Sequence, residues 1–422
     1  MARFLFSAMP FTGHVQPVSA VAAALVARGH DVRIYTGHAF AGRVAASGAR
    51  LVPWHHAPDF DENDLAATFP RLVGKKGLGQ LLVNVQDVFI KTAPAQVRDL
   101  TEEFAREPWD AVAGDDVSLG AIFHSDLAVI PWATISVTPL NIVGTEGPPS
   151  GMGLAPGTNV FTKARDAALR ALVPALSISL RRPLIDARAA AGLPPSKATL
   201  DQTLFSPRLI VASGCRLLDY DRGDRPPHLH FVGRLTAPAA AGAPLPLPPW
   251  WGDLAGRRVV HITQGTQNID PSDLLQPAIE ALADSDALVV AVTGVAGRDE
   301  LPFPVPANVR VAGFIPYDAL LPLTDIVITN GGWGGTLAAL SHGIPLVIGG
   351  GDLDKPEIAS RVTWAGAGVN LKTGTPTAAQ VRAGHDRVVA DRSFRDAAAR
   401  VGAQLTALGG PAVAAELLET LV

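Results

Sequence analysis

The sequence predicts an α/β protein built from two doubly wound domains that face each other across a cleft. Three observations predict it. Short apolar runs alternate with amphipathic stretches in the first half, the same rhythm restarts in the second, and a proline-rich segment separates the two. The 422 residues suffice for about two or three domains of roughly 100–200 residues each. Hydrophobic residues make up 48% of the chain and charged residues 18%, a balance that favours packed cores over disorder.

In the first half, residues 3–8 read as a buried strand, 18–28 as a helix stopped by Gly29, and 31–36 and 50–53 as further strands. The rhythm recurs at 111–113, 132–137 and 209–213. Apolar strands alternating with helices form a parallel sheet covered on both faces. The stretch 234–251, RLTAPAAAGAPLPLPPWW, is a linker, because its prolines deny it helical and ladder hydrogen bonds. It divides the chain into residues 1–233 and 252–422. Beyond it, strands are expected at 259–262, 287–293, 309–312, 326–329 and 346–348, with a helix at 271–283 and helices to the end. The segments 60–100 and 140–185 are less regular, and their apolar loops suit the wall of a pocket for an apolar ligand. Open α/β sheets bind ligands at the carboxyl ends of their strands, which places the expected site in the cleft between the domains.

Charge and cysteine content exclude several classes. Thirty-five Lys and Arg stand against 39 Asp and Glu, with no concentrated basic run, so nucleic acid is not an expected partner. Cys215 is the single cysteine, which rules out an intrachain disulfide or a thiolate metal cluster and fits a reducing cytoplasm. Pro10, Gly13 and His14 interrupt the apolar N-terminus, so no signal peptide is expected. No run of about 18 apolar residues exists, so no membrane span is expected either.

The strongest local signal is DIVITNGGWGGTLAALSHGIPLVIGGGDLDKPEIASRV, residues 325–362. A strand ends at Thr329, a turn follows through Asn330, Gly331, Gly332, Trp333, Gly334 and Gly335, and a helix is expected from Thr336. Backbone N–H groups and a helix N-terminus make such a turn a cradle for a diphosphate; the alternative is a tight βα turn with no ligand. A second glycine turn, Gln264, Gly265, Thr266, follows the strand at 259–262 and ends on the same sheet edge.

Taken together, the motifs GHVQP (13–17), FVGRL (231–235), QGT (264–266), GFIPYDALLP (313–322) and the glycine-rich segment followed by DKP carry a resemblance over both halves. The chain resembles a GT-B-fold inverting glycosyltransferase that uses nucleotide sugars, of the kind that includes plant UDP-glycosyltransferases and bacterial antibiotic and macrolide glycosyltransferases. The resemblance implies that Asn330, Gly331 and Gly332 stand in the place of the family's His-Gly-Gly pyrophosphate turn, that Gly334 belongs to the same donor-binding turn, and that Gly335 and Thr336 meet the α-phosphate. It implies that Gly265 and Thr266 form the phosphate-side turn, and that Phe314 and Ile315 hold the base. Asp354 and Lys355 then hold donor sugar hydroxyls.

Several positions depart from the family pattern. Asn330 replaces a His, Phe314 a Trp, Lys355 a Gln, and Ala338 the Glu that receives ribose hydroxyls, which tilts the expected donor toward dTDP-sugars over UDP-sugars. Lys355 either meets a modified or acidic sugar or faces solvent. Trp333 either packs under the turn or borders the acceptor pocket.

His14 follows the first strand, and imidazole is the side chain matched to accept a proton near neutral pH. A lone loop histidine is otherwise structural, and the resemblance makes it the base. Asp115 and Asp116 end the strand at 111–113. The resemblance favours Asp115 as the partner that orients His14, with the other aspartate left as a helix cap. The implied reaction is inverting transfer of a sugar to a hydroxyl of an apolar small molecule. No resident cofactor and no metal are expected; the DLD triplet 352–354 lies in the sugar-binding loop. The competing readings are a nucleotide-sugar epimerase and a non-catalytic partner of another enzyme.

Overall fold

The computed structural model describes residues 1–75, 77–142, 144–236, 247–265 and 270–422. The linker prediction falls partly, and Thr266 wholly, outside the described residues. Strands β1 (Arg3–Ser7), β2 (Asp31–Thr36), β3 (Arg50–Pro53), β4 (Ala111–Asp115), β5 (Trp132–Ser136), β6 (Ile210–Ala212) and β7 (Leu229–Phe231) form one sheet. Their order is β3-β2-β1-β4-β5-β6-β7, and every pairing is parallel. The second sheet holds β8 (Val259–Thr263), β9 (Leu288–Val292), β10 (Val309–Ala312), β11 (Ile326–Thr329), β12 (Leu346–Ile348) and β13 (Gly368–Asn370). It runs β10-β9-β8-β11-β12-β13, again all parallel.

Each sheet reverses its strand order once, and these reversals position the site. In the first sheet the break lies between β1 and β4, with Ser7 opposite Gly114. In the second it lies between β8 and β11, with Thr263 opposite Thr329. At such a point neighbouring loops diverge to opposite faces and leave a crevice at the strand ends. His14 follows β1 and Asp115 ends β4; Gly265 follows β8 and Asn330 follows β11.

The apolar strand runs are buried as expected of sheets covered on both faces: LVVAV of β9 is buried throughout. In the first core Phe4, Phe6 and Ile34 pack against Val15, Val18 and Leu25 of the helix Thr12–Ala27. Ala414, Ala415 and Leu418 of the last helix, Pro411–Glu419, join that same core. Glu419 then accepts from Arg28 at 2.8 and 2.7 Å and meets His30 at 2.8 Å, which fixes the C-terminus on the first domain. Among the described residues no single helix is long and apolar enough to cross a membrane; one pair bent by 42°, Ser393–Ala407 and Pro411–Glu419, passes by length and composition together.

Several expectations need correction. The first helix begins at Thr12, not near residue 18, because Pro17 sits inside it and reads in sequence as a start signal. The helix after β11 begins at Trp333, so the glycine turn is shorter than expected. The helix after β8 is Leu275–Leu282, shorter than 271–283. The segments taken as irregular are largely helical, including Ala93–Arg106, Val160–Leu176 and Ile178–Ala190. Edge strands β7 and β13 were not anticipated; each has three residues and no apolar run to announce it.

The second core contains a fully buried histidine. His261 lies mid-strand in β8, its Nδ1–H donating to the Val290 carbonyl at 3.1 Å while Nε2 has no partner. Burial holds its pKa down to about 4, against the bond to Val290. The folded state therefore binds fewer protons than the unfolded chain between about pH 4 and 6.5, so this contribution is full above 6.5 and is lost as pH falls toward 4. The loss amounts to about 3 kcal/mol for a shift of this size. Urea unfolding should show a markedly lower midpoint at pH 5 than at pH 7.5 in the wild type, with a smaller difference in His261→Gln. Equal differences in both would refute the assignment.

Candidate active site

The first half of the site is built where β1 enters its helix. Glu62 accepts the Thr12 N–H at 2.8 Å at the helix N-terminus, whose Phe11 cap position supplies no side-chain acceptor. His14 therefore sits in the first helical turn, not in a loop. Its Nδ1 lies 2.9 Å from Oδ2 of Asp115. A carboxylate only accepts, so Nδ1 carries the proton and Nε2 keeps its lone pair. Asp115 is held in turn: Oδ2 accepts the Met9 N–H at 2.8 Å and Oδ1 the Val117 N–H at 3.0 Å.

Asp116 turns away to a different set of partners. Its Oδ2 accepts from Ser136 Oγ at 3.0 Å and Thr138 Oγ1 at 2.6 Å. The pair predicted from the sequence is thus made by Asp115. Neither aspartate caps the following helix, Leu119–Ala128, whose cap position is Ser118. The reason is geometric: both carboxylates stand before the cap position and reach across strands instead.

Burial alone would lower the pKa of His14, but the charge and hydrogen bond of Asp115, with the charges of Asp116 and Asp354, leave it above 6.5. Burial would raise Asp115, and His14 with the donors from Met9 and Ser118 outweighs it, so Asp115 stays below the ordinary carboxylate range. Asp116 is raised, by burial and by its neighbour Asp115, against the opposing charge of His14. The charge of Asp354, on the loop before the helix Lys355–Trp364, is the smallest of these contributions to His14.

In the second half, Gly331 has φ +89°, and a Cβ there would lie 2.8 Å from Ile348. The turn thus requires glycine. The helix Trp333–Ser341 follows, and its first N–H groups, at Trp333, Gly334 and Gly335, have no carbonyl one turn earlier to bond. Gly332 and Gly334 are exposed at this helix start and Gly335 is half-buried. The Asn330 side chain spans the crevice instead of pointing out: its amide donates to the Gln264 carbonyl and its oxygen accepts the Gly332 N–H at 3.3 Å. Gly265, at φ +79°, packs beneath it. Thr336 is wholly buried with its hydroxyl unpartnered.

Phe314 is 59% exposed and borders a groove of about 940 Å³ with Trp250 and Phe303, whereas Ile315 is buried in the core behind β9 and β10. The structure therefore separates the two predicted base-holding residues. Lys355 does not face solvent freely. It opens the helix Lys355–Trp364 and its Nζ lies 2.6 Å from Asp352. Ala338 is buried.

The residues that join the two halves were not legible in the sequence. Trp333 donates its indole N–H to Ser213 at 2.8 Å, packing across the domains against Gly214. Arg361 bonds Asp219 at 2.7 Å, Glu357 at 3.0 Å and the Leu140 carbonyl at 2.8 Å, all buried. No local pattern could have revealed contacts spanning more than a hundred residues. Among the described residues two groupings bring metal-type ligands together, His14 with Asp115 and Asp116, and His55 with His56 and Asp99. The carboxylate of Asp99 already accepts from Tyr35 and from the N–H groups of His55, His56 and Ala57.

Residues 276–421 match the family model described as Erythromycin biosynthesis protein CIII-like, C-terminal domain. The chain is 39% identical over 424 residues to 4'-demethylrebeccamycin synthase of Lentzea aerocolonigenes, covering 100% of both. The chain belongs to the GT-B UDP-glycosyltransferase family. This glycosyltransferase is also 33% identical over 408 residues to UDP-glucosyltransferase B1 of Starmerella bombicola, covering 94% of this chain and 93% of that one. The crystal structure of the glycotransferase of kitacinnamycin shares the fold at a TM-score of 0.75, with 22% identity over 100% of this chain and 99% of that one. Family membership favours the glycosyltransferase over the epimerase and over the non-catalytic partner read as rivals from the sequence.

Proposed function

We propose that the protein transfers a sugar, with inversion, from a nucleoside diphosphate to a hydroxyl of an apolar natural product. The first domain, 1–233, takes the acceptor and the second, 252–422, takes the donor. The observation that carries this reading is the bond between His14 and Asp115 at the β1/β4 break, with Asp354 of the donor-side loop acting on the same imidazole. His14 Nε2 removes the acceptor proton while Asp115 holds the ring and stabilises the imidazolium. The acceptor oxygen bonds to the anomeric carbon as the bond from that carbon to the diphosphate oxygen breaks. The leaving diphosphate gains charge, which the N–H groups at Trp333, Gly334 and Gly335 and the helix N-terminus stabilise.

In this reading Asn330 pins the turn and the backbone holds the phosphates. Gly265 shapes the wall opposite, Thr266 joins it, Phe314 stacks on the base, and Asp354 with Lys355 takes sugar hydroxyls. Dependence on dTDP over UDP rests on Ala338, which offers a ribose hydroxyl no acceptor. Among the relatives, the spinosyn rhamnosyltransferase SpnG is known in complex with thymidine diphosphate and with spinosyn aglycone, whereas UDP-glucosyltransferase B1 carries the other donor in its name.

Calorimetric titration tests the donor half directly. Saturable binding of both nucleotides with dTDP several-fold tighter is the expected result. Tighter UDP binding would reverse the donor preference alone, and no binding of either by folded protein would remove the diphosphate cradle.

A further inference from the structure

The helix Val160–Leu176 half-buries Leu169 and Val173 beside Asp166 and leaves a second apolar face exposed. Surface helices ordinarily turn an apolar stripe inward and a charged face to water. Here Asp166 is buried, at 2% exposure, while Phe161 is 87% exposed and Val160 79%. Three charged side chains tie the helix to the preceding segment. Asp166 accepts the Gly157 N–H at 2.7 Å, Arg165 donates to the Ala155 carbonyl at 2.9 Å, and Arg170 bonds the Gly147 carbonyl. Outward stand Val160, Phe161, Ala164, Ala168, Leu172 and Ala175. The following helix, Ile178–Ala190, continues the surface with exposed Ile178 and Ile185.

Charge selects the occupant. With Arg165 and Arg170 tied inward, the exposed charges of residues 160–190 are Lys163, Arg181 and Arg182 against Asp186, which lies 3.6 Å from Arg182, a net +2 on a chain whose total is −4. Lys163, Arg181 and Arg182 stand exposed around the apolar face. A second copy of the chain would pair this patch with itself about a two-fold axis and set like charges against like. Exposed apolar side chains flanked by cations match the boundary between anionic headgroups and acyl chains.

We propose that this helix pair docks the enzyme on an anionic lipid surface, with Phe161 and Leu172 inserted below headgroups held by Lys163, Arg181 and Arg182. The inward face ties the docked helix to the segment 147–157, whose Gly153 N–H donates to Glu357 beside the donor-side loop at 3.1 Å. Docking thus turns the rim of the cleft toward the bilayer, where an apolar acceptor concentrates. The docking itself does not rest on the acceptor assignment.

The test is co-sedimentation of the full chain with vesicles of phosphatidylglycerol and phosphatidylcholine, and of phosphatidylcholine alone. The wild type should pellet with the anionic vesicles, less so at high salt. Phe161→Asp with Leu172→Asp should weaken this at least about ten-fold, and Lys163→Gln with Arg181→Gln and Arg182→Gln should abolish the salt dependence. Melting temperatures should not move, since these side chains face solvent. Wild-type protein left in the supernatant of both vesicle types overturns the proposal, as do charge and apolar variants that pellet like wild type. Concentration-dependent dimers lost in the Phe161/Leu172 variant, without vesicle binding, would assign the face to a second copy. A raised acceptor KM in that variant with vesicle binding intact would assign it to the acceptor pocket.

Discussion

His14→Ala lowers kcat about 10²- to 10⁴-fold, the range that a positioned general base contributes, while the affinity for dTDP stays within about two-fold of wild type because the residue does not touch the diphosphate turn. Asp115→Asn leaves the imidazole in place but offers an amide where a carboxylate accepted Nδ1–H at 2.9 Å. It should also cost at least about 10²-fold. The pH profile separates this from mere damage. His14 must be unprotonated to act, and its pKa lies above 6.5 through Asp115, Asp116 and Asp354 despite burial. The acid limb of kcat/KM should therefore fall above pH 6.5 in the wild type, with activity lost as pH drops through it. Removing the Asp115 charge should move that limb to lower pH. Unchanged turnover in both variants would sink the dyad, and an unshifted limb would sink the electrostatic role of Asp115.

The second large effect is on stability. Arg361→Ala removes a buried guanidinium that bonds Asp219, Glu357 and the Leu140 carbonyl. Asp219 keeps Arg225 at 2.8 Å, but Glu357 keeps only the Gly153 N–H at 3.1 Å and a contact with Tyr220. A buried charge stripped of its partner costs about 3–5 kcal/mol, which corresponds to a fall of roughly 10 °C in Tm for domains of this size. Arg361 and Glu357 belong to the second domain, whereas Asp219, Leu140 and Gly153 belong to the first, so the loss should also separate the unfolding of the two. Differential scanning calorimetry checks both points. A single transition within about 2 °C of the wild type would show that the network contributes little.

The strands were the most legible part of the molecule. β11 and β12 fall on the residues expected from their apolar runs, because a strand covered on both faces must be largely apolar, and edge strand β10 keeps its expected bounds although Arg310 turns to Asp253. Helix starts were less legible. Pro17 mimics a first-turn proline, and only the packing of Val15 and Val18 in one core shows that the helix runs through it. The candidate site was legible where a motif abuts a strand end, as with His14, Asp115 and Gly331. It was not legible where a side chain's role depends on what stands opposite. Asn330 turned out to clamp Gln264, Ile315 to face the core, and Lys355 to pair with Asp352.

From the sequence alone came the two parallel α/β halves, the strand ends that carry the site, and the residue types the chemistry needs. These follow from local periodicity, turn residues and motif spacing, which any short window of the chain contains. The choice of Asp115 over Asp116, the Arg361 network and the outward apolar face of Val160–Leu176 were decided only by tertiary structure. Each depends on groups up to 221 residues apart meeting in space, or on which face of a helix the rest of the protein covers. Burial and partnership are properties of the assembled fold, and no window of sequence contains them.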